Sequence, residues 1–467
     1  MIQVRRVLLM FSLLLVAVGC ISISQAPPET FAMRVIATGL KQPLELAFGP
    51  DGYLWLTERV GKRVLRVNPA DGKLYPAVTI TEVYQQGGQD GLLGMVLHPD
   101  LLQDQGNDYV YVAYTYDAAA GAAVDLRVKI RRYTYNEATQ TLDDALDLIT
   151  GLPGSSDHNS GRLVFGPDAK LYYAIGDQGN NQFANLCKPI VAQVLPTAAE
   201  VRAADWSHYP GKVLRLNLDG SIPADNPELD GVRSHVYSYG HRNVQGLVAS
   251  ADGQLYAAEH GPKSDDEVNL ITAGKNYGWP QVAGYQDDQA YAYANWSAAP
   301  NCARLEFSDF AIPASVPQEA ESDWRDPDFT PPLKTFFTVA DDYDFQNADC
   351  APNEFICWPT VAPTGLDLYP APAKGIPGWT PSLLMTALKT GTVYRMALTA
   401  DGTALQGEAL SLFKTINRYR DLALNPDGRT FYVITDTNNY TQDASGLPTK
   451  TLENPGALLE FTYTGDD

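Results

Sequence analysis

Gly49-Pro50-Asp51-Gly52, followed at once by Tyr53-Leu54-Trp55, is the stretch from which the fold can be read. Proline presets φ, aspartate folds back onto its own backbone, and glycine accepts positive φ, so these residues specify a turn. Aromatic and β-branched residues after such a turn mark the entry of a strand. The arrangement returns as His98-Pro99-Asp100 ahead of Tyr109-Val110-Tyr111 and as Gly166-Pro167-Asp168 before Leu171-Tyr172-Tyr173. It recurs again as Ala251-Asp252-Gly253 before Leu255-Tyr256, and as Asn425-Pro426-Asp427-Gly428 before Phe431-Tyr432-Val433.

A second pattern, an apolar strand that often carries one arginine, runs between these turns. Its copies are Val64-Leu65-Arg66-Val67, Ile130-Arg131-Arg132-Tyr133, Val213-Leu214-Arg215-Leu216, Val268-Asn269-Leu270-Ile271, Val393-Tyr394-Arg395-Met396 and Leu458-Leu459-Glu460-Phe461. Six copies of one pattern and five of the other predict six units, one of them degenerate, each long enough for a four-stranded sheet. The predicted fold is all-β: a six-bladed propeller with long inter-blade loops. The stretch from Tyr277 to Pro381 shows neither pattern and reads as inserted loops. Two stacked sandwiches would explain the strands but not the repeat.

Arg5 and Arg6 precede an apolar run from Val7 to Val18, which reads as a secretion signal over residues 1–20. Ala17-Val18-Gly19-Cys20 also resembles a bacterial lipoprotein cleavage site. A linker is expected over 21–34 and a single propeller domain over 35–467. The destination is periplasmic, extracellular or lipid-anchored at the envelope, and no later stretch is apolar enough to span a membrane. A net charge of −21 argues against nucleic acid and anionic lipid, which are bound through basic patches, and suits calcium, which takes oxygen ligands. Beyond Cys20, the four cysteines Cys187, Cys302, Cys350 and Cys357 admit three pairings. Cys350 and Cys357 enclose a short loop and are the natural pair; whether Cys187 joins Cys302 is left open.

Several polar clusters have chemistry in them. Asp157-His158 lies in the Gly/Ser-rich loop 154–161, where a carboxylate beside an imidazole makes a useful base, although both are also ordinary turn residues. His241-Arg242-Asn243 follows the strand Val236-Tyr237-Ser238-Tyr239 and suits either a polar ligand or the capping of carbonyls. Arg418 and Arg420 are two apart on a strand, so both guanidiniums point to one face; with Lys389 they crowd three cations where an anion would fit. Glu259-His260-Gly261-Pro262, with Ser264-Asp265-Asp266-Glu267, offers carbonyls and carboxylates of the kind calcium takes.

These clusters, in this order, resemble the soluble glucose (aldose) dehydrogenases that use pyrroloquinoline quinone (PQQ). The likeness runs from about Val35 to Tyr463 and includes Trp55-Leu56-Thr57-Glu58-Arg59, Gly88-Gln89-Asp90-Gly91-Leu92-Leu93-Gly94 and Asp157-His158-Asn159-Ser160-Gly161-Arg162-Leu163. It continues through Ile175-Gly176-Asp177-Gln178-Gly179, Gly240-His241-Arg242-Asn243, Asn276-Tyr277-Gly278-Trp279-Pro280, Cys357-Trp358-Pro359-Thr360 and Asn417-Arg418-Tyr419-Arg420-Asp421.

The resemblance implies oxidation of aldoses to lactones, with His158 removing the anomeric hydroxyl proton as hydride leaves for PQQ. Asp157 would tune that base, and Gln89 and Arg242 would position the sugar. Lys389, Arg418 and Arg420 would hold the cofactor's carboxylates, with Asn243, Thr360 and His260 beside them. Gln182, Phe183, Phe355 and Trp358 would face the substrate. Carbonyls of Gly261 and Pro262 would bind a calcium (Ca2+) that polarises the quinone. A second, structural calcium would use Glu267, Tyr277, Ala283, Tyr285, Asp287 and Glu321, some through backbone oxygen. The sequence departs from a soluble member of the family at His260 (glutamine there), Phe355 (tyrosine) and Phe183 (leucine), so the sugar preference does not transfer. The expected partners are an aldose, an external electron acceptor (quinone, cytochrome or dye) and a second copy of the chain in a homodimer. The competing readings are a calcium-dependent lactonase and a non-catalytic extracellular binding propeller.

Overall fold

The computed structural model describes residues 30–465 except 120 and 122; the expected signal over 1–20 lies outside the described residues. The described residues form six four-stranded antiparallel sheets, with three two-stranded ribbons in the connecting loops. Their first strands, Pro43–Phe48, Leu92–Leu97, Ser160–Phe165, Val244–Ala249, Pro363–Tyr369 and Tyr419–Leu424, touch one another in a closed ring around the central channel. We number the blades one to six in that order. Blade six is completed by Phe31–Ala37, which pairs with Leu458–Tyr463 and so joins the two ends of the chain. The propeller therefore starts at Phe31, inside the expected linker, because these residues supply the outer strand that closes the ring.

Each blade buries both faces of its inner strands, which is why these read as nearly continuous apolar runs, while outer strands such as Thr141–Pro153 and Leu405–Leu412 are largely exposed. Six cores lie between neighbouring blades. Trp55, Val64 and Ala77 of blade one meet Val110, Val112 and Tyr114 of blade two, for example, and Leu384 and Val393 of blade five meet Leu422, Phe431 and Val433 of blade six. Closure leaves no blade without a partner for either face.

The two sequence patterns are physically coupled. Every turn copy joins a first strand to a second, and every arginine-bearing copy is a third strand. In blade one the Arg66 guanidinium pairs with Asp51, which also accepts the Trp55 indole N–H. In blade three Arg215 pairs with Asp168, which accepts the Tyr172 hydroxyl. Blade five is the degenerate unit: a Pro/Gly-rich loop over 370–381 replaces the turn, and Arg395 lies over the Trp379 ring at 4.2 Å.

The stretch Tyr277–Pro381 is not wholly inserted loop. It supplies the outer strand of blade four, Lys334–Phe336, and the first strand of blade five, Pro363–Tyr369, which is not followed by the turn signal. Disulfides join Cys187 to Cys302 and Cys350 to Cys357. Among the described residues no helix is long and apolar enough to cross a membrane.

Candidate active site

The N-terminal ends of the ring strands, and the loops leading into them, open onto a cavity of roughly 830 Å³. Its wall gathers Gln89, Asp157, His158, Arg242, His260, Gly261, Pro262, Phe355, Trp358, Thr360, Lys389, Arg418 and Arg420 from five blades and the loop after Lys334–Phe336. Residues far apart in sequence thus meet at one place because each stands at the mouth of its own blade.

His158 is almost fully buried and sits at φ 44°, a left-handed conformation rare for a residue with a side chain. Its Nδ1 lies 2.7 Å from Asp177 Oδ1. That carboxylate also accepts the Gly179 amide at 2.9 Å and the Trp279 indole at 2.8 Å, groups that can only donate. Asp177 therefore acts as acceptor throughout, Nδ1 carries the proton, and the lone pair of Nε2 is left for the cavity. The sequence assigned the tuning of this base to Asp157. Asp157 stands 3.8 Å from Nε2 and accepts the Gln89 amide at 2.6 Å, while Asp177 holds the ring. Asp177 lies in the stretch Ile175–Gly179, which was legible as a match but carried no neighbour to reveal its role.

The cationic side is neutralised more than the sequence suggests. Asp436 lies between the two arginines, accepting from Arg418 Nε at 3.2 Å and from Arg420 at 2.7 and 3.1 Å. Both guanidiniums do point to one face, but they share a carboxylate. The three cations are not left crowded against one another. Lys389 donates to the Trp358 carbonyl at 2.8 Å and to Thr360 Oγ1 at 2.6 Å. Burial pushes its ammonium down to about 7, against the pull of Asp266. A fourth cation, Arg59, lines the same cavity; burial first and Arg420 second hold it down to about 10. Asp436 carries no local motif that marks it as a site residue; Asp266, in the acidic run 264–267, and Arg59, at the end of a matched stretch, were legible as motifs but not as walls of this cavity.

His260 donates Nε2–H to the Pro363 carbonyl at 2.8 Å, and burial, with Arg242 next, pushes it down to about 3, so it is neutral. Gly261 must be glycine: a Cβ there would meet the Ser264 carbonyl oxygen at 1.9 Å. Asn243 lies behind the wall, fully buried, with its Nδ2 unpartnered, and the Nε of Arg242 is likewise buried and unpartnered. Gln182 lines an adjoining cavity of roughly 400 Å³ that shares Arg242 and Pro262 with the first. Phe183 lines neither; it is 65% exposed and packs on Phe307.

Two arginines and a lysine on the wall of one cavity fit a polyanionic guest such as PQQ. For metal, no three His, Cys, Asp or Glu side chains among the described residues converge as a cage. A cation at the cavity would draw on the carbonyls of Gly261 and Pro262. At the second place Glu321 accepts the Ala283, Asp287 and Asp288 amides, and Glu267 accepts the Gly284 amide. Burial pushes Glu321 up to about 7, and Asp265 nearby keeps a buried, unpartnered Oδ2. The Tyr277 hydroxyl is committed to the Leu270 carbonyl, and Tyr285 is exposed. Buried carboxylates and carbonyls are donors that suit calcium.

A family model for glucose/sorbosone dehydrogenases matches residues 40–304 and 341–442. Quinoprotein glucose dehydrogenase B of Acinetobacter calcoaceticus is 47% identical over 445 residues, covering 94% of this chain and 92% of that protein. An aldose sugar dehydrogenase of Escherichia coli is 29% identical over 443 residues, covering 92% and 96%. Among solved structures, the PQQ-bound aldose sugar dehydrogenase of Streptomyces coelicolor aligns with a TM-score of 0.61 and 26% identity, covering 94% of this chain and all of that one. With the model spanning most of the sequence and a relative this similar along nearly its whole length, the chain belongs to the glucose/sorbosone dehydrogenase family.

Proposed function

We propose that this protein is a PQQ-dependent dehydrogenase that oxidises aldose sugars at the anomeric carbon to lactones. The observation that carries the reading is the free Nε2 of His158, aimed into a cavity whose far wall presents Lys389, Arg418 and Arg420. Bound PQQ, held with calcium, supplies the two-electron acceptor for the anomeric C–H. His158 Nε2 takes the anomeric hydroxyl proton, and Asp177 stabilises the imidazolium that results. Gln89, fixed on Asp157, and Arg242 hold the sugar hydroxyls and offset the negative charge that develops on oxygen. Arg418, Arg420, Lys389 and Thr360 are the cofactor's anchors, and Gly261 and Pro262 supply carbonyls to the metal. Phe355 and Trp358 line the mouth and shape sugar preference. The second calcium is assigned to Glu267, Asp287 and Glu321 with backbone oxygens of Tyr277, Ala283 and Tyr285.

A lactonase would need uncommitted carboxylates at the cavity centre, whereas here Asp436 is bound to Arg418 and Arg420, Asp266 to the Gly261, Val361 and Ala362 amides, and Asp157 to Gln89 and the His158 amide. The two disulfides favour an exported protein, periplasmic, extracellular or anchored at the envelope. We assign it an external electron acceptor. The functional test is reconstitution with PQQ and calcium, followed by dye reduction with a panel of aldoses. Exhaustive chelation should abolish turnover, and calcium with PQQ should restore it and raise the melting temperature, since both bind only the folded chain. Full activity after chelation and dialysis would sink the reading.

A further inference from the structure

We infer that Trp279 is a positioning residue that sets the orientation and basicity of His158 through Asp177, an inference that rests on reading His158 as the base. Its indole N–H donates to Asp177 Oδ2 at 2.8 Å, while Oδ1 of the same carboxylate faces His158 Nδ1 at 2.7 Å. Asp177 is 1% exposed, so each of its oxygens depends on protein donors. The indole can only donate, so this bond fixes which oxygen remains for the imidazole. The face of the ring has a second duty. The Arg242 guanidinium carbon lies 5.3 Å from its centroid, within reach of a cation–π contact. One side chain therefore touches both the carboxylate behind the base and the arginine that faces the sugar.

Trp279 is itself held firmly. Its amide donates to the Gly240 carbonyl at 2.9 Å, its carbonyl accepts the Gln193 amide at 2.8 Å, and its ring lies 6.0 Å from that of Tyr291. The loop bearing Arg242 is tied to the same assembly, since the Asp177 amide donates to the Arg242 carbonyl at 2.8 Å. A carboxylate that loses the donor on one oxygen concentrates charge on the other and stabilises imidazolium more strongly. It is also freer to rotate. Loss of the indole N–H should therefore raise the basicity of His158 while loosening its aim.

Trp279→Phe keeps the ring under Arg242 and removes only the donor. In the enzyme reconstituted with PQQ and calcium, kcat should fall by about 10- to 100-fold, the range for a lost hydrogen bond to a charged group. The acid limb of the kcat–pH profile should move up by roughly half a unit to one unit. KM for the sugar and affinity for PQQ should change less than about threefold, since the ring under Arg242 stays in place. In an Asp177→Asn background the same substitution should have little further effect, because its action passes through that carboxylate. Wild-type kcat with an unmoved acid limb overturns the inference, as does an equal fall in both backgrounds. Should Trp279→Phe fail to fold, Trp279→Met, which also lacks a donor, takes its place. NMR titration of His158, assigned by its loss in His158→Ala, reads the same chain without turnover. If His158→Ala stays active the base reading fails by itself, while an unchanged His158 titration in Trp279→Phe overturns the coupling whatever the base does.

Discussion

The two ends of the central channel are built from the same six strands and differ in what balances their carboxylates. The upper end sets Lys389, Arg418, Arg420, Arg242 and Arg59 against Asp157, Asp266 and Asp436 around a large polar cavity. The C-terminal halves line a second cavity of roughly 480 Å³ with apolar side chains and three carboxylates, Glu45, Asp367 and Asp421. Arg162 stands between them. Its guanidinium pairs with Glu45 at 2.6 Å and Asp421 at 2.8 Å, and donates to the Gln245 and Arg420 carbonyls at 2.5 and 3.3 Å. Strand alternation allows this, since neighbouring residues on one strand face different surroundings: Arg420 serves the upper cavity and Asp421 the lower. A propeller can thus carry a charged ligand site at one end and compensate its cations from below. On this view the upper end governs chemistry and the lower end governs stability, and each prediction probes that division.

The largest effect should come from the upper end. His158→Ala should reduce turnover by roughly 10²- to 10⁴-fold, the usual worth of a positioned general base, while PQQ binding and the melting temperature persist. Near wild-type turnover would remove the base from this end altogether. At the junction, Arg162→Met leaves Glu45 and Asp421 without their cation. Breaking a buried pair in this way should lower stability by about 3 kcal/mol, read as the shift in denaturant midpoint. If the midpoint holds and only turnover falls, Arg162 belongs to the site above it and the division is wrong.

Arg420→Ala should weaken PQQ binding more than about tenfold and leave sugar KM in the cofactor-saturated enzyme nearly unchanged, since a charged partner of the cofactor is lost. Lysine should rescue only in part, because an ammonium lacks the planar fork that a carboxylate meets. Asp436 alters the reasoning behind this prediction without reversing its sign. The arginines are preorganised by a shared carboxylate, so the free protein does not hold them in mutual repulsion. Equal PQQ affinity in titrations of mutant and wild type would make the Arg418–Asp436–Arg420 cluster purely structural.

The same contrast explains what the sequence reveals. Blades were legible because turn and third strand repeat, and in blades one and three the turn aspartate bonds the third-strand arginine, Asp51 with Arg66 and Asp168 with Arg215. Blade five escaped that signal because Trp379 takes the place of the aspartate beside Arg395. His158, Arg242, Arg418 and Arg420 were legible from composition and resemblance together. Asp177, Asp436 and Trp279 were not, because their roles depend on partners 19, 16 and 102 residues away. Such pairings come from hairpins within one blade or from contact between neighbouring blades, which bring together residues distant in sequence, and nothing local announces them. The lower carboxylates were invisible for the same reason: Glu45, Asp367 and Asp421 lie on three different blades.

The smallest effect, and the one specific to the lower end, concerns pH. Burial first, and the Asp421 charge as well, push Asp367 from its ordinary 3.8 up to about 7; a hydrogen bond from the Leu368 amide only partly opposes this. Between those values the folded chain keeps a proton on Asp367 that the unfolded chain has released. Stability must then fall as pH rises through this window, because the native state binds more protons there than the unfolded state. Glu45 is also raised by burial and adds to the slope in the same direction. Asp367→Asn replaces the neutral acid with a neutral isostere that cannot ionise. Between pH 5 and 8 the wild type should lose on the order of 1–2 kcal/mol from this group, and the mutant should lose correspondingly less. Melting temperature against pH would show it as a flatter curve for Asp367→Asn, with the two proteins closest near pH 5 and the mutant ahead at pH 8. The kcat–pH profile should be the same for both, since Asp367 does not line the upper cavity. A change in that profile would mean that the two ends are electrostatically coupled through Arg162, and that the charges of the floor tune the base above it.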